Sequence, residues 1–63
     1  MPSGLEITQR AIEDFAKVQE NMMLAKEENA TRTYANLKKE YISLKAFLMV
    51  AGVNLTELDR IKE

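Results

Sequence analysis

Cysteine, histidine and tryptophan are absent from this 63-residue chain, which carries only two glycines and one proline. Without cysteine there is no disulfide, no thiol nucleophile and no thiolate ligand. Without histidine the usual general base at neutral pH is missing, and with it nearly every transition-metal site and the Glu-x-x-His pattern of di-metal carboxylate bundles. A phosphate-binding loop needs closely spaced glycines at a strand-to-helix turn, whereas these glycines stand far apart at Gly4 and Gly52. No apolar run is long enough to cross a membrane. The start Met1-Pro2-Ser3-Gly4 lacks the basic and apolar regions of a secretory signal, so a cytoplasmic location is expected.

The acids that remain include three close pairs, Glu13 with Asp14, Glu27 with Glu28 and Glu57 with Asp59. Sequence neighbours diverge around a helix, so these read as solvated faces rather than acid–base dyads. The expectation is a non-enzymatic protein with no cofactor and no metal.

Scarcity of glycine and proline has a positive consequence. From Leu5 to Ala51 neither occurs, and the segment is rich in Ala, Leu, Met, Glu, Lys and Gln, so it reads as helix. Ala11, Phe15, Val18, Met22 and Ala25 follow a 4-3-4-3 spacing, and Tyr34, Leu37, Tyr41, Leu44, Leu48 and Ala51 follow 3-4-3-4-3. The nine steps from Ala25 to Tyr34, at about 100° each, place the second stripe roughly half a turn from the first. One straight helix would bury both stripes in opposite directions. Asn29, Thr31 and Thr33 are poor in helix interiors, and a break there, with Asn29 left-handed at C′ and Thr31 as the next N-cap, resolves the conflict. An antiparallel hairpin is therefore favoured over one long bent helix.

A second break is predicted at Gly52, with Val53 and Leu48 making the contact of a Schellman ending. Asn54 then reads as the N-cap of a short third helix, with Glu57 closing a capping box and Val53 facing Leu58. The expected fold is all-α, a single domain of helices over about 5–28, 31–51 and 55–62, assembling as a helical bundle or coiled coil.

Assembly is expected on two grounds. A compact chain of this size gains roughly 90 kcal/mol from apolar burial and loses about the same in ordering. With no disulfide or metal to tip that balance, association is the remaining common device. The run Ala46 to Ala51 is also apolar on every side of its helix, more than a two-helix hairpin covers. The candidate interface is Leu37, Tyr41, Leu44, Phe47, Leu48 and Val50, joining a homodimer or tetramer or another protein. The sequence thus suggests a small interaction or regulatory module.

Charge supplies the alternative. Residues 1–31 hold six acids and three bases and residues 32–63 hold four acids and six bases, so the two halves are complementary and the total is −1. Arg32, Lys38, Lys39 and Lys45 form a candidate nucleic-acid face, with Tyr34 and Tyr41 available for stacking. Their position beside the apolar stripe is better explained as its solvated flank, and the chain has no global basic field.

Overall fold

The computed structural model describes residues 4–62. It contains two helices, α1 (Gly4–Glu27) and α2 (Thr31–Val50), packed against each other, with no strand among the described residues. The connection is three residues long, which makes the helices antiparallel neighbours, as the break between the stripes requires.

All five residues of the first stripe, Ala11, Phe15, Val18, Met22 and Ala25, are buried. Tyr41 and Leu48 of the second are fully buried, with Tyr34, Leu37 and Leu44 half-buried against them. Phe15 and Tyr41 stack with ring centroids 5.3 Å apart and planes inclined by 16°.

Asn29 ends α1 as expected. Its φ is 58°, its amide donates to the Lys26 carbonyl at 3.2 Å, and the Ala30 amide reaches the Ala25 carbonyl at 2.8 Å, the paired bonds of a Schellman motif. The next N-cap falls one residue earlier than expected. Ala30 holds that place, its carbonyl accepting the first helical bond from Tyr34 at 2.9 Å, while the Thr31 hydroxyl turns back to the Asn29 carbonyl at 3.4 Å. With Ala30 already serving as C″ of α1, the chain has no spare residue before α2 begins.

At the far end Gly52 adopts φ 80°, and the amides of Gly52 and Val53 donate to the carbonyls of Met49 and Leu48 at 3.1 and 3.0 Å. This is the second Schellman ending. Beyond it the expectation of a helix over 55–62 is corrected. The Asn54 side chain does accept the Thr56 amide at 3.0 Å, and the Asp59 amide closes one turn onto the Leu55 carbonyl at 2.8 Å, but the turn does not propagate. Its next backbone groups are claimed by side chains. Gln19 Oε1 accepts the amides of Arg60 and Ile61 at 2.6 and 3.1 Å, Gln19 Nε2 donates to the Leu58 carbonyl at 2.8 Å, and Asp59 Oδ1 accepts the Lys62 amide at 2.8 Å. Residues 51–62 form a strap of turns that lays Val53, Leu55, Leu58 and Ile61 against the hairpin core.

The resulting body is flat, with principal extents of 39 × 25 × 14 Å and a radius of gyration of 12.3 Å, against about 10.6 Å for a compact chain of this length. Two helices side by side make one layer, and the strap supplies only part of a second.

Candidate interaction surfaces

The two broad sides of the hairpin differ in chemistry. On the strap side a polar cluster sits within the core. Gln19 is 1% exposed, and Asp59, expected to be a solvated partner of Glu57, is 7% exposed. The Tyr41 hydroxyl donates to Asp59 Oδ1 at 2.5 Å, and Lys45 Nζ lies 2.7 Å from Asp59 Oδ2 and 3.4 Å from the Tyr41 oxygen. The Lys45 ammonium also stands 5.5 Å from the centre of the Tyr41 ring. Among the described residues no buried side-chain polar atom lacks a partner.

Burial by itself pushes the Asp59 carboxyl up, but the hydrogen bonds from Lys45, Tyr41 and the Lys62 amide outweigh it and hold the group below its ordinary value. The hydrogen bond to Asp59 raises Lys45, partial burial opposes it, and the Tyr41 hydroxyl adds to the rise. The two shifts define a pH window for the strap. A depressed carboxyl contributes stability above its unfolded value and loses it as pH falls through the folded one; a raised ammonium contributes below its unfolded value and loses it as pH rises through the folded one. The strap is therefore held throughout the neutral range and is expected to loosen first in acid, below the ordinary aspartate range. Acid titration followed at the Tyr41 ring resonances checks this, and resonances that stay unchanged until global unfolding would show that Asp59 does not hold the strap.

The residues named from sequence divide between the two sides and the surface. Tyr41 and Leu48 lie in the chain's own core, and Leu37 and Leu44 are half-buried. Phe47 and Val50 are 43% and 90% exposed. Met49 beside them is also exposed, so the strap leaves this end of α2 uncovered. Of the basic residues, Lys45 is bound to Asp59. Arg32 and Lys39 share one line of α2 and Lys38 and Lys45 another, about 120° away, so the four do not form one continuous face.

The side opposite the strap is an open groove between the helices. One part, of about 520 Å³, is lined by Ile7, Ala11, Asp14, Leu44 and Phe47 with Glu6 and Arg10 at its rim. It continues along the hairpin past Lys17, Val18 and Glu40. Ile7 and Phe47 are both exposed in it, and Leu5 is exposed on the same first turns of α1.

Gln19 and Asp59 were missed by sequence reasoning, unequally. Gln19 left a signal, since it stands one turn from both Phe15 and Met22, where only a partnered polar side chain is tolerated. Asp59 left none, because its burial depends on where the strap lands. Among the described residues no helix is long and apolar enough to cross a membrane, and no group of three or more acidic side chains is placed to hold a metal ion. Comparison of the chain with protein-family models, with curated proteins and with solved structures finds no match.

Proposed function

We propose that this chain is a small, non-enzymatic interaction module that works as a homo-oligomeric helical bundle. The observation that carries this reading is the surface the monomer leaves bare. The chain exposes 4989 Å², where a compact chain of its mass exposes about 4,100 Å². The excess, roughly 900 Å², is close to the ~800 Å² that one partner contributes to a standard protein interface. Exposed large apolar side chains contribute to the uncovered surface, and Leu5 and Ile7 on the first turns of α1 and Phe47, Met49 and Val50 on the last turns of α2 gather at the open end of the hairpin. The flat single layer supports the same conclusion, because a bundle completes its core by packing a second layer onto the first.

Solution mass measured by light scattering over a dilution series tests the proposal. The expected result is a dimer or higher oligomer that Phe47→Asp converts to monomer with helicity retained, since the residue is too exposed to be needed by the hairpin itself. A wild-type chain that stays monomeric at every concentration would overturn it.

A further inference from the structure

The groove opposite the strap is bordered on its α1 side by charges of alternating sign. Glu6, Arg10, Asp14 and Lys17 lie along one face of α1 and line this groove, reading minus, plus, minus, plus. Arg10, Asp14 and Lys17 form no ion pair with another described residue. Run backwards, the series becomes plus, minus, plus, minus, which is its own complement. A second copy of α1 laid antiparallel over the first would therefore set Arg10 against the partner's Asp14 and Asp14 against the partner's Arg10, with Glu6 and Lys17 facing the partner's Lys17 and Glu6 at the outer positions.

We infer that two copies of this chain dock groove to groove about a two-fold axis crossing α1 at the level of Ala11 and Ile12, making a four-helix bundle with the straps on its outer sides. The inference rests on the homo-oligomeric reading above and specifies its surface. Three features agree. The two-fold relation makes the contact isologous, so one patch serves both subunits and assembly closes at two. Ala11, buried in the hairpin core, lines the floor of the groove at this level, and its small side chain leaves the groove open there. Ile7, Leu44 and Phe47 line the same groove, so docking covers the apolar end of the hairpin while the charges set orientation.

Charge reversal gives the test, with dissociation constants measured by sedimentation equilibrium. Arg10→Glu and Asp14→Arg each replace two attractive pairs with two repulsive ones, and each is expected to weaken the dimer about 10- to 100-fold. An equimolar mixture of the two variants restores both pairs, and is expected to form a heterodimer within about threefold of the wild-type affinity. The double variant in one chain should recover likewise, which covers the case of a single variant losing helicity by circular dichroism. A wild-type dimer indifferent to both single variants, or variants that neither mixing nor combination rescues, would overturn the groove-to-groove arrangement while leaving the oligomeric reading in place. A wild-type monomer would overturn both.

Discussion

Phe15→Ala is expected to leave the chain largely unfolded at room temperature. Phe15 is fully buried, stacks on Tyr41, and is the second of the five stripe residues from Ala11 to Ala25. Truncating such a residue costs about 3–5 kcal/mol, through lost transfer energy and the cavity left behind. A chain of this length has roughly 3–9 kcal/mol of stability to lose. The site cannot readily collapse, because Tyr41 is held in place by its bond to Asp59. Thermal denaturation followed by circular dichroism, with wild type and variant at one protein concentration because association adds to apparent stability, measures the effect. A cooperative transition within a few degrees of wild type would mean that the Phe15–Tyr41 stack is not the centre of the core.

Gln19→Leu should act more selectively, releasing the strap while the hairpin remains. One carboxamide supplies three hydrogen bonds to the strap, as donor to Leu58 and acceptor from Arg60 and Ile61. At about 0.5–1.5 kcal/mol each they sum to roughly 1.5–4.5 kcal/mol, and leucine would leave the three backbone groups unpaired against an apolar wall. Undocking lets water satisfy them. The expected observation is faster hydrogen exchange at the Arg60 and Ile61 amides with α1 and α2 protection retained. Unchanged protection at those two amides would show that the apolar contacts of Leu55, Leu58 and Ile61 suffice. Gln19→Glu separates the two halves of the carboxamide, since it keeps an acceptor for Arg60 and Ile61 but loses the donor to Leu58.

The strap also marks the boundary of what local signals convey. Asn54, Glu57 and the Val53/Leu58 pair form a sound helix start, and the Asn54 bond to the Thr56 amide and the single turn from Leu55 to Asp59 are its outcome. Propagation needs successive amides to bond to carbonyls four residues back, and a short helix gains too little from them to compete with a preformed acceptor. Gln19 and Asp59 provide such acceptors, and Gln19 lies some forty residues away in the chain.

Two helices, the break between them and both of their endings follow from residues near in sequence. Heptad spacing put Ala11 to Ala25 and Tyr34 to Leu48 on stripes whose half-turn offset demanded a reversal at Asn29, and Gly52 tolerated the left-handed backbone that stops α2. These are short-range matters of periodicity, propensity and capping, which a linear sequence states directly. Which side of the hairpin the strap covers, that Asp59 is buried on Tyr41 and Lys45, and that Phe47 and Val50 stay exposed were decided only by the tertiary structure. Each depends on distant segments competing for the same polar groups and the same apolar surface, and that competition is resolved in three dimensions.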